Sequence, residues 1–341
     1  VGEKKWLLFF SETQSRRPIV IRQILCNKRT VSNLYWGMQY HILDWLNVEP
    51  TLDEKKFDLQ INKLIKNKYL LATPKGLVLT AEGIFQKKEY LDNTYVISKP
   101  YIFQYINEKR WLELLPLLIQ VISELSYHNK KYYVVNSPLR AQFALKKWLS
   151  LVKDRSELPQ VLKQKLLTFL GEFPHEYGNI FMALFTGHAN IGQTAEQITV
   201  LIPQFSKEEI LLLWRDLSMQ FAFFLLKEDG LFRQLIAPFS NLSQLSKSTE
   251  ISYQLFKENL TANKIATQRN LKISTIKEHL LESAILRNDF SYSKIITHDD
   301  YSILMNTFKG NPIDWEYRQL DNKIEFFKFR LFQIERSKNI G

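Results

Sequence analysis

One segment constrains the fold of this chain more than any other: Thr249 to Leu286, reading TEISYQLFKENLTANKIATQRNLKISTIKEHLLESAIL. Helical spacing puts Tyr253, Leu255 and Phe256 on a first helix over 251–259. A second opens at Thr261 and carries Ile265 and Ala266 in its middle, where a steep crossing needs a side chain no larger than a methyl. Asn270-Leu271-Lys272-Ile273 supplies the turn, with Leu271 beneath it. Ser274 is the natural N-cap of a third helix whose Ile276, Leu280 and Leu281 face inward. This order is a helix-turn-helix. Such a third helix lies in the major groove with its first turn toward the bases, which would expose Lys272, Ser274, Thr275, Lys277 and Glu278. Lys264, Arg269 and Asn270 are placed to reach the flanking phosphates. From Lys257 to Glu278 there are five basic and two acidic residues. That modest excess also suits a trihelical unit that only packs or docks a protein.

The run LFKENLTANKIATQRNLKISTIKEHL resembles the helicase-associated helix-turn-helix domain, found at the C-termini of RecQ-type DNA helicases and on separate YpbB-like proteins. The resembling positions include Leu255, Phe256, Leu260, Ile265, Ala266, Arg269, Leu271, Ser274, Thr275, Ile276, His279 and Leu280. The tail Phe326 to Arg336 looks like the end of the same domain, with Phe329 in place of an isoleucine. The motif covers about 90 residues, and the overall length and helical N-terminal region are also similar to the YpbB-like proteins. The resemblance implies a cytoplasmic protein working beside a RecQ-type helicase in DNA repair and recombination, with DNA and that helicase as partners and no catalytic residue of its own. Asn263 and Lys264 depart from the acidic pair commoner in such motifs, which makes the second helix more basic.

The remaining chain reads as mainly α. At 341 residues it is long enough for two or three domains. Residues 1–100 give helix, helix, helix, hairpin. Pro18 opens the first helix, which ends near Asn27 and Lys28; the second runs from Val31 to Leu46; Thr51 and Glu54 form a capping box before the third. Tyr69 to Ala72 and Leu77 to Thr80 flank Thr73-Pro74-Lys75-Gly76 as a hairpin, and Thr80 caps a further helix through Leu91. That order is a winged-helix-like domain. Between Lys55 and Lys75 six lysines, Lys63, Lys66, Lys68 and Lys75 among them, face Asp58 alone, a candidate second DNA surface. Winged helices also serve as protein-interaction modules, and a lysine-rich helix face is ordinarily just solvated.

Residues 101–240 read as a helical middle domain with helices near 101–127, 138–152, 156–170, 176–187, 194–203 and 206–227, the last two begun by capping boxes at Thr194 with Gln197 and Ser206 with Glu209. The small polar run over 241–250 reads as a linker to the domain over 251–341. Dividing the net charge of +11 along the chain gives sixteen basic against ten acidic residues in 1–100, sixteen against fourteen in 101–250 and fourteen against eleven beyond. The excess sits at the two ends, which suits a nucleic-acid partner there.

Several classes are disfavoured. One cysteine, Cys26, forms no internal disulfide and fits a reducing cytosol. The apolar runs Trp111 to Tyr127 and Ile210 to Leu226 are broken by charges and read as buried helices, so no membrane partner is expected. Lys4 and Lys5 are followed by too short an apolar run for a signal peptide, and a chain beginning at Val1 is expected to lack a few residues. There is no GxxxxGK[ST] and no GxGxxG, so the chain is not itself a motor. The six histidines lie far apart, His175-Glu176 lacks the second His of HExxH, and the pairs Asp299/Asp300 and Asp314/Glu316 lack the acidic partners of a two-metal site. No catalytic residue, metal or cofactor is expected. Three functions fit: a non-enzymatic DNA-binding accessory of a RecQ-type helicase, a sequence-specific transcriptional regulator, or a protein-interaction scaffold without DNA contact.

Overall fold

The computed structural model describes residues 2–241 and 243–340, the side chain of residue 340 excepted. In chain order the elements are α1 (Pro18–Leu25), α2 (Val31–Gln39), α3 (Glu54–Lys66), β1 (Leu70–Thr73), β2 (Gly76–Leu79) and α4 (Ala81–Asn93). There follow α5 (Glu108–Ser126), α6 (Leu139–Leu151), α7 (Leu158–Leu170), α8 (His175–Ala183), α9 (Ala195–Leu201), α10 (Lys207–Lys227) and α11 (Leu231–Ile236). The last are α12 (Lys247–Lys257), α13 (Ala262–Arg269), α14 (Ile273–Leu286), α15 (His298–Thr307) and α16 (Phe326–Ile340). The protein is mainly helical, and the hairpin is the sole sheet among the described residues.

The chain divides into two compact units, each built from two stretches: 1–15 with 53–242, and 16–52 with 243–341. The helix-helix-helix-hairpin run is therefore not one winged-helix-like domain. In place of α3, the helix α2 packs on α14, burying Leu34 and Tyr35. Helix α3 instead packs on a short 3-10 turn over Glu3–Phe9, where Phe57 meets Trp6 edge-on at 4.9 Å. The boundary expected at 241–250 also moves. Residue 242 lies outside the described residues, but Leu245 is fully buried and Ser246 caps α12 by accepting from the Thr249 amide at 3.2 Å. From Ser243 onward this stretch is an anchored part of the second unit.

In the first unit α3 starts one residue earlier in logic than its sequence suggests. Asp53, not Thr51, is the N-cap, its carboxylate accepting from the Lys56 amide at 2.8 Å. The hairpin pairs Leu70 with Leu79 and Thr73 with Gly76, and Thr80 caps α4 through the Gly83 amide at 3.0 Å. Gly83 is required there, since a Cβ would lie 2.0 Å from the Tyr69 carbonyl oxygen. The helix expected over 101–127 breaks at Asn107, which caps α5 and donates its amide to the Phe239 oxygen at 2.7 Å. Both expected capping boxes form, at Thr194 and Ser206. Trp111 is fully buried and its indole donates to the Ser218 carbonyl of α10 at 2.7 Å, fixing α5 to the helix it packs on. No helix among the described residues is long and apolar enough to cross a membrane.

In the second unit α14 is central, packed against α2, α12, α13 and α16. Tyr253, Phe256 and Phe290 stack beside it, Phe256 on Phe290 at 5.2 Å. From the other side Arg330 of α16 lies over the Tyr35 ring of α2 at 4.2 Å, and the Gln39 amide donates to Ser337 Oγ at 2.7 Å. The expected second helix stops at Gln39 and does not run on to Leu46. His41 adopts a left-handed φ of 53°, and the Ile42 amide closes the helix on the Gly37 carbonyl at 3.0 Å.

Candidate nucleic-acid interface

Three helices carry the motif read from the sequence. Thr261 caps α13 and Asn270 ends it in a left-handed conformation, φ 50° and ψ 47°, turning the chain into α14. Ile265 and Ala266 are buried at the crossing, as the spacing requires. The start of α14 differs from expectation. Lys272 stands at the N-cap without a side-chain bond and the helix begins at Ile273, so Ser274 lies inside the first turn and caps nothing. Leu271 is half-buried beneath the turn.

Only the first turns of α14 are open. Lys272, Ile273, Ser274 and Glu278 are exposed and Thr275 is half-buried, whereas every residue from Leu280 to Ile285 is buried. The helix can meet a ligand only at its N-terminal end, which is the end that recognition helices turn toward base edges. Beside that end Lys264 and Asn270 are exposed on α13 and its turn. Ile273, 36% exposed, is an apolar contact that a reading by charge overlooks. Glu278 is an acid among these cations and can contribute to base choice but not to phosphate attraction.

Two of the expected contacts are corrected. Arg269 does not reach outward: its guanidinium donates to the Ser248 carbonyl at 2.6 Å, to Ser248 Oγ at 3.0 Å and to Ser252 Oγ, tying α13 to α12. Lys277 pairs with Glu325 and its ammonium lies 5.7 Å from the Phe327 ring centre, so it fastens the start of α16. The lysines Lys63, Lys66, Lys68 and Lys75 belong to the first unit. They are exposed along α3, at its end and at the hairpin tip, and Lys55, Lys63 and Lys66 share the outer face of α3 with exposed Leu59.

Ser252 is a junction for the three helices. Because Arg269 donates to its oxygen, its hydroxyl proton is directed at His279 Nδ1, 2.8 Å away, and His279 is held neutral with its proton on Nε2. Burial, and after it the Arg269 charge, lower the His279 pKa below the ordinary imidazole value, against the opposing pull of Glu282 and Glu278. The unfolded chain then binds a proton that the folded unit resists, so this contribution to stability is present above pH ~6.5 and is lost as pH falls through the folded pKa. Urea midpoints at about pH 7.5 and 5.5 should differ less in His279→Gln than in the parent protein. An equal pH-dependent loss in both would show that His279 is not the group responsible.

What the sequence could not show is that α1 and α2 belong to this unit. Buried Glu282 of α14 accepts from Arg29 Nη1 at 3.1 Å, from the Ser246 amide at 3.1 Å and from Thr249 Oγ1 at 2.7 Å. With residues 16–52 included, the second unit holds twenty basic against fourteen acidic side chains, and the larger first unit twenty-six against twenty-one. The basic excess is thus denser in the unit that carries the helix-turn-helix.

Residues 248–333 match the family described as a helix-turn-helix domain, the class of unit that the geometry of α12 to α14 defines and one that implies DNA as its ligand. The chain is also a distant relative of Protein YpbB of Bacillus subtilis (strain 168), 24% identical over 220 residues that cover 64% of this chain and 62% of that protein. It therefore spans about three fifths of the length of the curated relative it matches. No solved structure matches the chain.

Proposed function

We propose that the protein is a non-enzymatic DNA-binding accessory of a RecQ-type DNA helicase, acting in the cytoplasm in DNA repair and recombination. The observation that carries this reading is the exposed tip formed by Lys264, Asn270, Lys272, Ser274 and Thr275, in a segment whose sequence resembles the helicase-associated domain. An open end one to two turns long suits phosphate contact with limited base reading. The lysine face of α3 is a second, separate basic patch on the same chain. Two modest DNA contacts joined in one chain raise each other's local concentration, which is how an accessory protein tethers a substrate for its motor.

The test combines the purified protein with the RecQ-type helicase of the same organism. Sedimentation velocity should show a complex, and unwinding of a forked duplex should need less helicase when the protein is present. Tight self-association with binding to one palindromic duplex and no helicase complex would favour a transcriptional regulator instead. No helicase complex and no effect on unwinding would overturn the proposal.

A further inference from the structure

The first unit contains a groove of about 660 Å³ between α5, α7 and the turn that follows α8. Its walls are apolar: Ile119 and Ile122 of α5, Leu166 and Leu170 of α7, Met182 and Phe185 at the end of α8. The turn that closes one end is built in place. The His188 amide donates to Ser123 Oγ at 2.9 Å, its Nδ1 lies 2.8 Å from Glu124 Oε2, and its ring stacks on Tyr127 at 4.1 Å. A Cβ on Gly187 would come within 2.7 Å of Ser123 Oγ, so glycine is what lets the turn sit this close to α5. The groove needs no rearrangement to receive a ligand.

Its shape and charge both specify the occupant. Ile119, Ile122 and Ser126 form a ridge along α5, and Pro159, Lys163, Leu166 and Leu170 form one along α7, the spacing that accepts the side chains of a third helix. Pro159 to Leu170 runs ~16 Å at ~1.5 Å per residue, the length of three helical turns. Leu167 on the rim is 57% exposed, apolar surface of the kind that marks an interaction site. None of the residues lining the groove is acidic, and Lys163 brings an exposed ammonium to it. An apolar lining rejects nucleic acid, and one cation on the rim favours a carboxylate.

We propose that this groove docks a short amphipathic helix of a partner protein, apolar on the face that enters and bearing an Asp or Glu that meets Lys163. This is recognition of a helix in a groove through anchors spaced i, i+4 and i+7. It stands apart from the DNA reading, since neither DNA nor helicase is needed to test it.

The full chain is immobilised and a phage library of random 16-residue peptides is selected on it; enriched peptides are synthesised with a fluorophore and measured by anisotropy. The expected peptides carry apolar residues at i, i+4 and i+7 and an acidic residue. Lys163→Glu should weaken them roughly five- to tenfold, and changing the peptide's acid to lysine should restore binding to that variant. Leu167→Glu should abolish binding. Both positions are exposed, so circular dichroism and melting should match the parent. The proposal is overturned if no peptide is enriched, if both substitutions leave binding unchanged, or if the lysine peptide fails to rescue Lys163→Glu.

Discussion

Glu282→Ala should destabilise the helix-turn-helix unit by about 3 to 5 kcal/mol, the range for removing one partner of a buried ion pair. The carboxylate is 6% exposed and serves three donors at once: Arg29 from the N-terminal helix pair, the Ser246 amide at the head of α12 and the Thr249 hydroxyl. Alanine leaves a guanidinium and two further donors without their acceptor, and each buried unmet group adds its own desolvation cost. Glu282→Gln should fall between the two, since it keeps an acceptor but loses the charge. Hydrogen exchange reads the effect locally: the amides of Ile276, Leu280 and Ile285 should exchange about a hundredfold faster or more. Unchanged protection would mean that residues 16–52 do not support α14. Glu282 lies on the recognition helix, so loss of DNA binding in this variant must be read with its stability.

Charge reversal at Lys264 and Lys272 together is the change that should most reduce DNA affinity while leaving the fold intact. Both side chains are exposed, one on α13 and one at the N-cap of α14. The contrast is with Arg269 and Lys277, whose charges are spent on Ser248, Ser252 and Glu325. Arg269→Ala should act on stability first, by releasing α12 from α13, and Lys277→Ala should loosen the start of α16. A pair of phosphate contacts changes affinity uniformly across sequences, so the Lys264→Glu, Lys272→Glu protein should lose duplex of any sequence to the same degree.

The local signals in the sequence were accurate where a side chain caps or turns the chain. Thr194, Ser206, Thr261 and Thr80 cap the helices expected of them, and the hairpin around Pro74 and Lys75 forms in register. Helix ends were legible only where asparagine makes the left-handed turn, as at Asn27 and Asn270. At His41, Lys68 and His128 the same geometry is taken by residues that carry no such preference, so the early end of α2 had no visible cause. The division into units was not legible at all. The apolar face of Val20, Ile21, Ile24 and Leu25 announces a buried helix without saying what covers it, and the Arg29 to Glu282 pair joins positions 253 residues apart. At the interface, residue type and spacing placed Lys264, Asn270, Lys272 and Ser274 at the surface. They misplaced Arg269 because Ser248, its partner, lay in a run read as a linker.

The most direct test of the account is an equilibrium titration of a fluorescent duplex with the parent protein and with the Lys264→Glu, Lys272→Glu protein at a series of salt concentrations. Phosphate-driven binding makes log affinity fall linearly with log salt, by ~0.9 per phosphate neutralised. The account predicts measurable binding at low salt by the parent and, in the variant, weaker binding with a slope shallower by up to about 2. Identical affinity and slope in the two proteins, or no binding by the parent at low salt, would contradict it.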